Sequence, residues 1–402
     1  MINNSTLTNI IEDLTEKSAN IKVIGVGGGG VNAVEQMISE GIKGVEFICA
    51  NTDAQSLKTS RADKKIQLGQ SITKGLGAGT NPAIGREAAL EEREAIKNLI
   101  QGADMLFITT GMGGGTGTGA SPIIAEIARE LGILTVAVVT KPFTFEGKKR
   151  LQVAQEGISF LTEYVDSLIT VPNDKLLTIF GKNISLKDAF KNVDNVLCDS
   201  VRGISDIIKF PGIINLDFAD VRTIMKEKGP AMMGTGVATG DNRAREATEK
   251  ALNNPLLEDV QFKDAGGILI NISTCEDGLT LGEFGEVGDI VAEYSKENAN
   301  IKLGMTVNNS LNDELVVTVI ATGLANHKKT IPTPVTVETK INTQSTISKQ
   351  APLITPVILN RKEELSNEYN TEEKTAYVHM NTVTIDEDFL DIPTFLRERK
   401  KY

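Results

Sequence analysis

The chain has 402 residues, 40% of them hydrophobic and 24% charged, enough for two packed domains with tails. A formal net charge of −11 excludes the basic footprint of a duplex-binding protein, so nucleic acid is not an expected partner. Only two histidines occur, His327 and His379, and both lie in the polar C-terminal part, which excludes a His-based acid–base pair or a His-rich metal site in the globular part.

Residues 1–20 carry neither the basic nor the apolar region of a signal peptide and read as a flexible N-terminal segment. From Ile21 to about Val171, apolar runs alternate with helical patterns. The runs "IKVIGV", "VEFICA", "MLFITT", "LTVAVV" and "SLITV" are continuous, as expected for parallel strands covered on both faces. Between them lie the helical patterns "VNAVEQMISEG", "NPAIGREAALEEREAIKNLI", "SPIIAEIARELG" and "EGKKRLQVAQEGISFLTEY". This alternation predicts a doubly wound α/β domain over residues 21–184.

A long helix is predicted next, over residues 185–210. Leu186, Ala189, Phe190, Val193, Val196, Leu197, Val201, Ile204 and Ile208 recur at helical spacing, Ser185 with Asp188 forms a capping box, and Pro211-Gly212 ends the pattern. At 1.5 Å per residue such a helix is roughly 36 Å long. Residues 211–221 hold an acidic segment. Residues 222–325 carry "GGILINIS", "NIKLGMTVN" and "ELVVTVIATG", strands of a second, smaller α+β domain. Pro230 reads as part of the loop entering that domain. Thr, Pro, Lys, Gln, Asn and Ser dominate residues 326–382, predicting a disordered linker, whereas residues 383–402 regain Phe389, Leu390, Ile392, Phe395 and Leu396. Cys49, Cys198 and Cys275 form no CxxC pair and read as reduced thiols of a cytosolic protein. No apolar run approaches membrane-span length, so no direct membrane insertion is expected.

Two glycine loops carry the chemistry. Gly25, Gly27 and Gly30 satisfy G-x-G-x-x-G between the first strand and its helix, where bare backbone and a helix N-terminus favour a phosphate. Alone, this loop suits a nicotinamide or flavin dinucleotide enzyme equally well. The second, "GMGGGTGTGAS" from Gly111 to Ser121, has six glycines and no charged side chain. Two such loops facing each other across one sheet edge would wrap a triphosphate in backbone donors. On the long helix, Phe190 and Asp194 are four residues apart on one face, an aromatic ring that can stack on a base and a carboxylate that can accept N–H groups at its edge. Core packing is the plain alternative for Phe190.

"GGGTGTG", with "VIGVGGGGVNAV", "NTDAQ", "KGLGAGTNP", "TKPFTFEGKKR", "VPNDKLL", "NLDFADV", "AMMGTG" and the terminal "DFLDIPTFLR", resembles the bacterial cell-division branch of the tubulin/FtsZ superfamily of GTPases. The resemblance runs in order through roughly residues 20–325 and returns at the end of the chain. It implies a GTP-hydrolysing protein that polymerises head to tail into filaments of the cytoplasmic division ring at mid-cell. It assigns Gly28, Gly29 and Asn32 to the diphosphate, and Gly113, Gly114, Gly115, Thr116 and Gly117 to the phosphates from the other side. Ala78 and Gly79 belong with the terminal phosphate. Asn51 and Asp53 lie near Mg²⁺ and its waters, with no dedicated protein ligands. Asn173 is implied as a base contact, and Glu146 and Arg150 as ribose contacts. Some relatives carry Asn where this chain has Asp194.

The glycine loops offer nothing to orient an attacking water. Asp217 and Asp220, three residues apart beyond the long helix, are too far along the chain to reach its own nucleotide. The resemblance implies that Asn215, Asp217 and Asp220 act on the next subunit's nucleotide. Capping of the following helix is the plain alternative for Asp217. The tail segment Asp386–Arg399 has the form of a docking peptide, and the resemblance implies that it binds membrane tethers and regulators of the FtsA/ZipA type.

Overall fold

The computed structural model describes residues 19–181, 183–209, 214, 216–227, 229–257, 265–276, 278–296 and 299–324. The expected N-terminal segment, linker and tail peptide fall outside the described residues, apart from a residue or two at 19–20.

The first half runs β1 (Ile21–Val26), α1 (Gly27–Ser39), β2 (Val45–Asn51), α2 (Ala54–Thr59), β3 (Lys64–Gln67), α3 (Gln70–Thr73), α4 (Pro82–Glu91), α5 (Arg93–Ile100), β4 (Met105–Gly111), α6 (Thr116–Glu130), β5 (Leu134–Lys141), α7 (Lys148–Thr162), β6 (Ser167–Pro172) and α8 (Asn173–Phe180). The long helix α9 is Leu186–Lys209. The second half adds α10 (Phe218–Met225), β7 (Pro230–Ala238), α11 (Arg243–Leu252), β8 (Gly267–Thr274), α12 (Leu281–Tyr294), β9 (Asn300–Val307) and β10 (Leu315–Thr322).

Strands β1 to β6 are parallel in the order β3-β2-β1-β4-β5-β6, so the doubly wound expectation is met. In the central strands β1, β4 and β5, alternate residues are buried on opposite faces. Val23, Phe107 and Val136 pack with Val34 and Met37 of α1 and Leu197, Val201 and Ile204 of α9. Ile24, Ile108 and Ala137 pack with Ile96 and Ile100 of α5 and Ile123, Ile124 and Ile127 of α6. Burial of both faces is why these strands read as unbroken apolar runs.

The cap of α9 forms as expected: Ser185 Oγ donates to Asp188 Oδ2 at 2.6 Å and accepts the Asp188 N–H at 3.1 Å. Farther along, Gly203 lies against Thr318 of β10, where an added Cβ would be 3.1 Å from the threonine methyl. One helix therefore packs on both halves of the molecule.

The second half is a mixed sheet, with β10 antiparallel to β7 and β8, and β8 parallel to β9. It is continuous with the first through a short parallel pairing, Leu168↔Pro230 and Ile169↔Ala231, giving one 10-stranded ladder. Pro230 is thus the first residue of β7, not loop. Proline is tolerated at the first position of a strand, where no ladder N–H is required.

Candidate nucleotide site

The order of strands reverses between β1 and β4, and the crevice beyond their carboxyl ends is where doubly wound sheets hold ligands. Both glycine loops leave from these two strands. The cavity there has a volume of about 360 Å³ and is bounded by the two loops, the ends of β5 and β6, and α9.

Helices α1 and α6 both begin at this cavity. Neither has a side-chain cap or an acidic residue in its first turn. Their leading N–H groups and positive dipole ends are left for a ligand, and an anion suits them. The loops touch through bare backbone: a methyl group at Gly27 would lie 2.9 Å from the Gly117 nitrogen, and one at Gly29 3.2 Å from the Gly111 nitrogen. Gly28 and Gly114 differ, because added Cβ atoms there meet nothing within 4 Å. The first pair of glycines lets the loops meet, and the second faces open space. The Gly115 N–H donates to the Gly79 carbonyl at 3.0 Å, which brings the loop after α3 to the cavity rim. Thr116 Oγ1 and Thr52 Oγ1 share a hydrogen bond of 2.6 Å.

The other end of the cavity is aromatic and polar. Buried Phe143 stacks on Phe145 at 4.9 Å and meets Phe190 edge-on at 5.5 Å. Phe190 is 40% exposed and lines the cavity, so core packing does not account for it. Asp194, one turn further on α9, also lines the wall, and burial pushes its carboxyl up to about 7. Asn173, the first residue of α8, is buried at 4% exposure, and its Oδ1 has no hydrogen-bond partner within the protein. A buried unpaired acceptor in a cavity wall is costly unless a ligand donor meets it. Glu146 Oε2 pairs with Arg150 Nη1 at 2.7 Å while its Oε1 accepts the Phe143 N–H at 2.9 Å, so both groups are held at the rim.

Gly28, Gly29, Asn32, Gly79, Gly114, Gly115, Thr116, Gly117, Glu146, Arg150, Asn173, Phe190 and Asp194 all border this cavity. Asn51, Asp53, Ala78 and Gly113 do not. Asn51 is buried and accepts the Asp53 N–H at 3.3 Å. Asp53 Oδ1 accepts the Gln55 and Ser56 N–H groups and caps α2. Ala78 lies beneath Gly115, and Gly113 lies under Arg150. Sequence reasoning missed Thr140, Pro142, Val193 and Leu197 in the wall. The last two stand three and seven residues after Phe190, so helical spacing alone would have placed them beside it.

The acidic residues are elsewhere. Asp217 and Asp220 sit at the start of α10, and from Phe190 to the end of α9 alone the chain travels about 28 Å. Asp217 occupies the N-cap position yet makes no side-chain cap bond. Asn215 lies outside the described residues. Among the described residues no cluster of three or more His, Cys, Asp or Glu is placed to hold a metal ion.

Residues 20–181 match the GTPase domain of the Tubulin/FtsZ family, and residues 229–325 match the C-terminal domain of the FtsZ family. The chain belongs to the FtsZ family. It is 55% identical to the cell division protein FtsZ of Pseudomonas aeruginosa over 393 residues, covering 96% of this chain and 98% of that protein. Among solved structures, an empty FtsZ dimer from M. jannaschii is 45% identical with a TM-score of 0.74, covering 80% of this chain and 92% of that one. CetZ2 from Haloferax volcanii, at 18% identity, TM-score 0.66, and coverage of 76% of this chain and 94% of its own, shares the fold. With its family membership and GTPase domain, this chain is a GTP-hydrolysing cytoskeletal protein of cell division. No described helix is long and apolar enough to cross a membrane.

Proposed function

We propose that the crevice between the glycine loops holds GTP, and that the chain stacks head to tail so that Asn215, Asp217 and Asp220 of one subunit meet the nucleotide of the next. The observation that carries this reading is the separation of the two halves of the chemistry. The cavity has anion donors and base-reading groups but no acid near the phosphate end, and the acids lie beyond the far end of α9. Triphosphate binds along the N-termini of α1 and α6, the base stacks on Phe190, and Asp194 and Asn173 accept its N–H groups. A Mg²⁺ held mainly by phosphates and water needs no protein cage, and Asn51 and Asp53, which stand behind the cavity wall rather than in it, would reach it only through water. A head-to-tail contact does not close on itself and yields open filaments. These filaments form the division ring at mid-cell in the cytoplasm, and Asp386–Arg399 docks into tethers and regulators of the FtsA/ZipA type.

The test is GTP hydrolysis per subunit against protein concentration, for wild type and Asp217→Ala. The expected outcome is a specific rate that rises steeply above a threshold, with a variant that binds GTP without hydrolysing it. A rate per subunit independent of concentration would mean that one chain holds its whole site. Deleting Asp386–Tyr402 is expected to leave filaments and hydrolysis intact and to abolish recruitment to the membrane; recruitment that survives overturns the role of the tail.

A further inference from the structure

Strand β9 lies at the edge of the sheet and holds the segment carrying the acids at three points. Lys302 Nζ pairs with Asp220 Oδ1 at 2.9 Å. Gly304, on the same face two residues on, leaves room for Leu216, whose Cδ1 would lie 3.0 Å from an added Cβ. The Met305 N–H donates to the Ile214 carbonyl at 3.2 Å. Asp220 stands in the first turn of α10, where a carboxylate would ordinarily serve the helix N-terminus, and Asp217 stands at its N-cap. Asp217 forgoes the cap bond, and the carboxylate of Asp220 is turned to a lysine from another element.

We propose that Lys302 is a positioning residue for assembly-dependent hydrolysis: it aims the Asp220 carboxylate and offsets its charge as the acidic segment meets the next subunit's triphosphate. This rests on the assignment of Asp220 to the neighbour's nucleotide. Both partners are more than a third exposed, 37% and 35%, and such pairs add little to fold stability. The pair's use lies at the interface instead. Two carboxylates pressed against a polyanion repel it, and juxtaposed like charges oppose docking. A cation at 2.9 Å from one of them reduces that repulsion and removes its rotational freedom. Because the cation comes from β9, the aim of the acid depends on the sheet of the second half, not on α10 alone.

The experiment compares full-length wild type, Lys302→Met, Lys302→Arg, Asp220→Asn and the double variant Lys302→Met/Asp220→Asn. Hydrolysis is read per sedimented subunit, with thermal melting in parallel. Expected for Lys302→Met is a loss of about ten- to a hundred-fold in turnover per assembled subunit at unchanged melting temperature, since small misplacement of a reacting group has costs of that order. Lys302→Arg recovers most of the rate, and the double variant is no slower than Asp220→Asn alone. Wild-type turnover in Lys302→Met beside a slow Asp220→Asn overturns the role of Lys302 and leaves the acidic-segment reading standing. Wild-type turnover in Asp220→Asn overturns both. Early melting of Lys302→Met without rescue by arginine assigns the lysine a structural role and overturns the proposal.

Discussion

In the proposed reading of the cavity, Asp194 meets the base as an anion in a wall that resists one. Guanine offers N1–H and an amino group along one edge, and a carboxylate accepts both, whereas a protonated carboxyl gives up part of that capacity. Burial raises the Asp194 carboxyl from its ordinary range to about 7. The unfolded carboxyl ionises near 4, so between the two values the folded state holds the extra proton. The stability of the nucleotide-free protein thus falls as pH rises from about 4 to about 7, above which the buried charge is carried in full, and guanine offsets that cost. Binding below pH 7 therefore releases a proton. The affinity for GDP is expected to fall as pH drops, by roughly tenfold per unit once below the Asp194 value. Asp194→Asn should lose this dependence and keep only the shallower one set by the terminal phosphate of GDP, whose second ionisation falls at about pH 6. Titration of a fluorescent GDP from pH 5.5 to 8.5 checks both, and a wild-type profile that matches the variant's would remove Asp194 from base recognition.

At the scale of elements, the two glycine loops divide their labour. Gly117 is packed against the other loop and its own strand, where an added Cβ would come 2.8 Å from the Gly111 carbonyl oxygen, whereas Gly28 faces open space. Gly28→Ala is accordingly expected to fold with an unchanged melting temperature and to lose GTP affinity by about tenfold or more, because its methyl occupies the phosphate path rather than the protein. Undiminished affinity in a well-folded variant would show that the triphosphate runs elsewhere. The loops were legible in the sequence because close approach of backbones permits little but glycine. So were the five apolar strands, buried on both faces. The edge strand β3, "KKIQ", was not, since a short edge strand needs no apolar run. Nor was β7, which opens on Pro230 and carries Gly234 and Gly236 where the backbone of α11 crosses, so packing rather than propensity makes it a strand. The starts of α1 and α6 were placed too late for a related reason. Glycine has poor helix propensity, but tertiary contact holds Gly27–Gly30 and Thr116–Gly119 in the first turns. Within the site, charged and aromatic residues announced themselves, while Thr140, Pro142, Val193 and Leu197 carry no chemical signature and gain their place only from the fold.

For the whole molecule, the decisive consequence of the proposed head-to-tail reading is that activity belongs to junctions between subunits. An Asp217→Ala subunit keeps its glycine loops, Phe190 and Asp194, so it binds GTP and presents it to any neighbour. Its defect lies at the other end, toward the subunit whose nucleotide it should attack. Wild type held below its assembly threshold hydrolyses little, and Asp217→Ala alone hydrolyses little at any concentration. Mixed, they share filaments, and each wild-type subunit brings an intact acidic segment to the nucleotide beneath it, whoever bound that nucleotide. In a random equimolar filament roughly half the junctions carry a wild-type acidic segment, because each head-to-tail contact takes that segment from only one of its two subunits. The phosphate release of the mixture is therefore expected to exceed the sum of its components measured separately, and to track the amount of polymer. A chain holding all of its own chemistry would give the plain sum, since neither component would gain a catalytic group from the other. Phosphate release measured on three samples, wild type, variant and mixture, separates the two cases.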